Sequence, residues 1–379
     1  MTERNVSYGF LSSAPPTPCG LATFTAALGS TLTDLGAEVS LVQVLDTPEA
    51  PSASRLRVIG QLVASDPSSI ERATAALNSC DVAVIQHEYG LYGGRDGDDV
   101  LKVIDGLYVP RIAILHTVLT KPTSHQVEVL NAVIEGVDVV VVMTRGAATI
   151  LSRLYEVGST PVEVIPHGAR VNSSLYVRRG SARPKILTWG LIGPGKGIEW
   201  VIDAMVGLKD LRPRPVYVVA GRTHPKVLAH QGDGYRRSLI QRVATNGVGE
   251  MVQFDNSYRD FSSLNSLIES ADVVVLPYDS KDQATSGVLV DAIAAGRPVV
   301  ATEFPHANEL LATGAGITVA HKDAPALTRA LRRVLSDSKV AADMAREARF
   351  LASGLSWRAV AIQFQATADR LLHYSELHV

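Results

Sequence analysis

The stretch WGLIGPGKGIEWVIDA, residues 189 to 204, decides how the chain is read. It ends the apolar run Lys185–Trp189, then places glycines at 190, 193, 195 and 197, and passes into a helical pattern near Ile198. A strand, a glycine-rich turn and a helix in that order form the first half of a βαβ unit. Glycines allow the backbone to approach a ligand and present its N–H groups. Lys196, in the same loop, adds a compact cation suited to phosphate oxygens. The same residues also fit a plain β–α turn carrying a solvated lysine.

Outward from this loop, short β-branched runs recur between helical-period segments, the pattern of buried parallel strands. Strands are expected near 6–12, 39–44, 82–87, 112–116, 137–143 and 162–165 in the first half. In the second half they are expected near 185–189, 216–220, 252–254, 273–277, 299–302 and 317–319. Between the halves, Val171–Pro184 is polar, basic and glycine-containing and reads as a linker. The predicted fold class is α/β: two Rossmann-like, doubly wound parallel-sheet domains, at 1–175 and 184–356, facing each other across a cleft. The tail from Trp357 has helical periodicity and is expected to pack back on one of them. In such sheets ligands bind beyond the carboxyl ends of the strands, where loops and helix N-termini converge.

Composition narrows the class further. The 379 residues suit two domains, and with 46% hydrophobic and 20% charged residues they describe a globular chain. A net charge of −2, from 36 basic and 38 acidic residues, argues against nucleic acid as a partner. Two cysteines, Cys19 and Cys80, exclude a disulfide framework and suit a reducing compartment. Residues 1–10 show no apolar signal-peptide region, and apolar runs such as Val137–Met143 are too short to span a bilayer. The expected location is cytoplasmic, with at most peripheral membrane contact.

A second informative stretch is PYDSKDQATSGVLVDAIAAGRPVVA, residues 277 to 301. A strand ends at Pro277, a polar loop follows, and Thr285, Ser286 and Gly287 open an apolar helix whose first-turn amides suit an anion. Asp291, among Val288, Leu289, Val290, Ala292 and Ile293, needs a partner for its carboxylate. A ribose hydroxyl pair is one such partner; Arg297 is another. Together the two stretches resemble the retaining glycosyltransferases of family 4, which have the GT-B fold. The resemblance rests on Lys196-Gly197, on the run Ala295–Val300, on Pro166-His167-Gly168, and on PCGLATF at 18–24, similar to the family's acceptor-side glycine loop. The family's E-x7-E element is Gln283-x7-Asp291 here, so either Gln283 or neighbouring Asp282 stands in for its first glutamate. Leu191 occupies the place of a family arginine, and Arg222 in AGRTHP (220–225) is the nearest replacement.

The resemblance implies a retaining hexosyl transfer from a nucleotide-diphosphate sugar of the GDP-mannose, UDP-glucose or ADP-glucose type to a hydroxyl acceptor, a saccharide or small glycoside. It implies no cofactor and no metal. By it, His116, Lys196, Asp282 and Gln283 are the catalytic candidates, while Gly193, Gly195, Lys196, Arg222, Thr285, Ser286, Gly287 and Asp291 bind the donor. The amides of Ser286 and Gly287 would help Lys196 to hold the departing diphosphate. Gly20, Leu21, His87, Glu88 and Tyr89 are the acceptor-side candidates, the loop from His87 either touching acceptor or ordering itself. His167 is read as ordering the hinge. The run Asp96-Gly-Asp98-Asp99 reads as a solvated helix cap and not as a metal-binding loop. Two other classes fit the same architecture: a nucleotide-sugar epimerase, which would alter a donor with no acceptor present, and a non-catalytic nucleotide-sugar-binding protein.

Overall fold

The computed structural model describes residues 5–17, 19–48, 55–64, 66–171, 183–257, 259, 261–281 and 283–376. Most of the predicted linker, residues 172–182, lies outside them, as do Pro18 and the candidate Asp282. The chain divides into two compact units: unit 1 comprises residues 1–168 and 357–379, and unit 2 residues 169–356.

Unit 1 holds seven strands: β1 (Ser7–Ser12), β2 (Glu38–Leu45), β3 (Arg57–Val63), β4 (Val82–His87), β5 (Arg111–Leu115), β6 (Val139–Val142) and β7 (Val162–Val164). They lie in the order β3-β2-β1-β4-β5-β6-β7, with every described ladder parallel. Unit 2 holds β8 (Lys185–Trp189), β9 (Val216–Ala220), β10 (Val252–Asp255), β11 (Val273–Leu276), β12 (Val299–Thr302) and β13 (Gly316–Val319). Their order is β10-β9-β8-β11-β12-β13, again parallel throughout. Both are doubly wound, Rossmann-like sheets. In each, the strand order reverses next to the first strand of the unit: between β1 and β4, and between β8 and β11. Loops leaving those strands at their carboxyl ends form the crevice where such sheets take ligands.

The sequence dictates these strands by burial on both faces. All four residues of β6 (VVVV) and of β11 (VVVL) are buried, as continuous β-branched runs in a helix-covered sheet should be. In unit 2 the alternation of side chains feeds two cores. Leu187, Trp189, Val216, Val218 and Ala220 join one, and Ile186, Tyr217 and Val219 the other. Strand β3 escaped the reading because its sequence, RVIGQLV, is broken by Gly60 and Gln61. Edge strands carry less apolar sequence, and only its last two residues are fully buried.

The terminal helix Trp357–Glu376 belongs to unit 1. Its Val360, Ala361, Phe364 and Ala368 share a core with Phe24, Leu28 and Leu32 of the helix Gly20–Asp34. The larger of these side chains, such as Val360, Phe364 and Leu28, each contribute roughly 1.5–3 kcal/mol when fully buried, which is how this helix becomes part of unit 1. No helix among the described residues is long and apolar enough to cross a membrane.

Candidate functional site

In unit 2 the loop after β8 is laced to its neighbours on both sides. Toward β9, the Ile192 amide donates to the Arg222 carbonyl (2.8 Å) and the His224 amide to the Ile192 carbonyl (2.8 Å). Toward β11, the Asp279 amide donates to the Gly195 carbonyl (2.9 Å), and Trp200 Nε1 donates to Asp279 Oδ1 (2.9 Å). Gly197 has φ +67°, and a Cβ there would lie 1.7 Å from the Pro277 carbonyl oxygen. Only glycine lets the two loops meet in this way. Gly193 is buried, whereas Gly195 and Arg222 are exposed.

This lacing holds Lys196 against the second loop. Its ammonium sits 4.7 Å from the centre of the Tyr278 ring, a cation–π contact. Burial draws its pKa below the usual lysine value, and no described carboxylate pairs with it. A half-buried cation without a counterion is a seat for an anion. Tyr278 is itself fixed, stacked on Phe304 at 5.3 Å, with its carbonyl accepting from Thr302 Oγ1 (2.7 Å) and His321 Nδ1 (2.8 Å).

The second loop ends at Ser286, the N-cap of the helix Gly287–Ala294, whose Oγ accepts from the Leu289 amide (3.3 Å). Of the two amides expected at the diphosphate, that of Ser286 is already engaged, donating to His306 Nδ1 at 2.8 Å. The amides of Gly287 and Val288 are the first-turn donors left, because a helix cannot satisfy them internally. Gln283 Nε2 donates to the Thr285 carbonyl (2.6 Å), knitting the loop and leaving Oε1 and one N–H for a ligand.

Asp291 follows Gly287 by four residues and so shares its helix face. Arg297 does not pair with it: its guanidinium donates to the carbonyls of Ala295 (2.9 Å) and Glu269 (3.1 Å). With no hydrogen-bond partner among the described residues, the Asp291 carboxyl is pushed by burial up to about 7. A folded carboxyl that holds its proton more tightly than the unfolded one stabilises the fold at acid pH. That stability is lost as pH rises from about 4 to about 7. Asp291→Asn is therefore expected to raise the melting temperature of the ligand-free protein at pH 8, by roughly 1–3 kcal/mol of stability, and to leave it nearly unchanged at pH 4. If Asp291 holds a ribose, the same variant binds nucleotide more weakly. Melting curves at both pH values, with and without nucleoside diphosphate, check both halves.

In unit 1 the β1–β4 switch is lined differently. His87 is 1% exposed, and its Nδ1 has no hydrogen-bond partner among the described residues. His116 follows β5; its Nε2 donates to Gln86 Oε1 (2.5 Å) and its ring meets Phe24 edge-on at 5.0 Å. His167 donates from Nδ1 to the Gly168 carbonyl (2.7 Å) and packs on Phe24 and Trp357. Burial lowers the pKa of all three, to about 4 for His87, about 3 for His116 and about 4 for His167. They are neutral imidazoles, hydrogen-bonders and not cations. Glu88 accepts from Thr117 Oγ1 (2.5 Å), and Tyr89 packs on the His87 ring at 5.1 Å. Gly20 is exposed and Leu21 partly so in the first turn of the helix whose N-cap is Cys19.

One sequence reading needs correction. Asp98 stands at the N-cap of helix Asp99–Asp105 but makes no side-chain cap bond; Asp96 instead holds His125 Nδ1 at 2.9 Å and Gln126 Nε2 at 3.3 Å. The run orders a loop through His125. Among the described residues no group of three or more His, Cys, Asp or Glu is arranged to hold a metal ion. Sequence reasoning also missed Gln86, Tyr278 and His306, which act across strands. The only signal for Tyr278 was its place at the end of a buried strand.

Residues 183–337 match the family model described as Glycosyl transferases group 1. The glycogen synthase of Mycobacterium tuberculosis is 30% identical over 217 residues, 56% of this chain and 49% of that protein. The chain thus spans about half the length of the first curated relatives it matches. A phosphatidyl-myo-inositol mannosyltransferase of Mycobacterium leprae is 28% identical over 278 residues, 69% of this chain and 67% of that protein. Among solved structures, sucrose-phosphate synthase from Thermosynechococcus elongatus superposes with a TM-score of 0.78 at 19% identity, over 98% of this chain and 100% of that one. HepE of Anabaena, solved with UDP and glucose, gives 0.77 at 17% identity over 96% of this chain and 100% of that one. The fold is GT-B.

Proposed function

We propose that the protein is a retaining glycosyltransferase of family 4 that takes a hexose from a nucleotide-diphosphate sugar. The observation that carries this reading is a pair of unpartnered groups at the β8–β11 switch, a cation and a carboxyl. Among the described residues the Lys196 ammonium has no anion and the Asp291 carboxyl no donor, the complement of a nucleoside diphosphate with its phosphates and ribose hydroxyls. The match of residues 183–337 to a glycosyltransferase model supports it.

In the proposed reaction the bond from sugar C1 to the diphosphate oxygen breaks, and a bond from C1 to the acceptor oxygen forms on the same face. The acceptor proton passes to the leaving diphosphate. Lys196 and the Gly287 and Val288 amides stabilise the charge that collects there. Gln283 Oε1 and the neutral His116 imidazole hydrogen-bond sugar hydroxyls, and the loop from His87 to Tyr89, with Gly20 and Leu21, meets the acceptor. No cofactor enters, and Lys196 takes the part a metal would otherwise play.

The test is a melting-temperature screen with GDP, UDP, ADP and their sugars, since a ligand at 100 times its Kd stabilises by about 2.7 kcal/mol. Transfer assays follow with the donor so found, with and without EDTA. Turnover that needs an acceptor and survives EDTA is expected. A donor altered with no acceptor present identifies an epimerase, and binding without turnover across an acceptor panel identifies a binding protein.

Gln283→Glu sharpens the role of the loop. A glutamate would set a carboxylate against the Thr285 carbonyl that the amide now donates to. Substitution to Glu is expected to cost at least as much activity as substitution to Ala, roughly tenfold or more, the scale of one lost hydrogen bond with an uncompensated partner. Near-wild-type activity in both variants removes Gln283 from the site.

A further inference from the structure

The donor loop is tethered by a residue from a different element, His306. It is the second residue of the helix Pro305–Leu311 and is 5% exposed, as is Ser286. Two bonds join it to the loop: its own amide donates to the Gln283 carbonyl (3.4 Å), and its Nδ1 accepts from the Ser286 amide (2.8 Å). A backbone N–H can only donate, so Nδ1 carries a lone pair and the ring is the neutral Nε2–H tautomer.

We propose that His306 is the positioning residue of the donor loop, selecting through Nδ1 which amides of the helix Gly287–Ala294 face the diphosphate. The proposal rests on the donor-site reading above. By taking the Ser286 N–H, the imidazole prevents it from turning to the ligand and leaves Ser286 Oγ to cap the helix at Leu289. The anion then meets Gly287 and Val288, one turn before Asp291 on the same face. Without His306, the buried Ser286 amide would be orphaned, and the loop would rotate to find water. His306 itself touches no substrate.

The geometry supplies a discriminating series. Asparagine places its Oδ1 the same number of bonds from Cα as Nδ1, whereas glutamine places its oxygen one bond further, near Nε2, and alanine supplies nothing. With GDP, UDP and ADP as probes on the full chain, His306→Asn is expected to keep the Kd of the best nucleotide within about threefold. His306→Gln and His306→Ala are expected to weaken it about 10- to 100-fold, the span of one to two lost hydrogen bonds to a charged group. In turnover the loss should fall on the donor KM more than on kcat. Hydrogen exchange of the peptide covering residues 284–290, without nucleotide, should quicken in the Gln and Ala variants and stay as in the wild type for Asn. Equal impairment of Asn and Gln, or wild-type exchange and affinity in Ala, overturns the proposal. If Ala does not fold, the Asn–Gln comparison decides alone. A wild type that binds none of the three nucleotides, yet shows the exchange ranking, defeats the donor reading while the tether stands.

Discussion

Lys196→Ala is expected to lower the rate of sugar transfer at saturating donor by roughly 10²–10³, the scale for losing one preorganised group that meets developing charge. The structure gives the reason for so large an effect. The ammonium is half-buried over the Tyr278 ring and pairs with no carboxylate among the described residues, so none of these cancels its field before the diphosphate departs. Water entering an alanine cavity would screen that charge far less well than a fixed cation does. Lys196→Arg should recover only part of the rate. A guanidinium can lie on the same ring, but it spreads its charge over a plane and delivers it in a fork, where the pocket holds a point. Wild-type turnover in Lys196→Ala at saturating donor would remove the loop from the phosphate site.

Gly197→Ala is expected to be the most destabilising single methyl group in unit 2. At φ +67° the side chain is strained, and its Cβ would stand 1.7 Å from the Pro277 oxygen, so backbone must move. Strain and collision together should cost at least about 3 kcal/mol, a fall in melting temperature of roughly 6–12 °C for a unit of this size. Activity should fall with it, because the contact that moves is the one joining the Lys196 loop to the Tyr278 loop. A scanning calorimetry trace shifted by less than about 2 °C, with kcat/KM preserved, would mean that the loops do not depend on one another.

The same two loops show why the sequence could be read so far. Strand, glycine turn and helix are local patterns, and at residues 185–204 all the signals lie within one short window. The buried four-residue strands such as β6 and β11 announce themselves by composition. What could not be read is what depends on distant partners. Whether Asp291 pairs with Arg297 is decided by where the Arg297 guanidinium goes, namely to the carbonyls of Ala295 and Glu269. Whether the Ser286 amide is available is decided by His306, twenty residues on. Asp96 looked like a cap because aspartates precede a helix; its real partner, His125, lies on another helix. A partial-strength pattern such as β3 is lost for a related reason, since an edge strand gains its stability from the neighbour on its inner side and leaves little trace in hydropathy.

His87, His116 and His167 give unit 1 an acid weakness carried by neutral imidazoles. All three have folded pKa values well below the ordinary imidazole value, at about 4, 3 and 4. An unfolded chain therefore takes up protons there before the folded one can. The stabilisation that these three rings permit is complete above about pH 6.5 and drains away toward pH 4. Asp291 in unit 2 pulls the other way, favouring the fold as acidity rises. Mild acidification thus weakens what these imidazoles contribute to unit 1 while it strengthens what Asp291 contributes to unit 2.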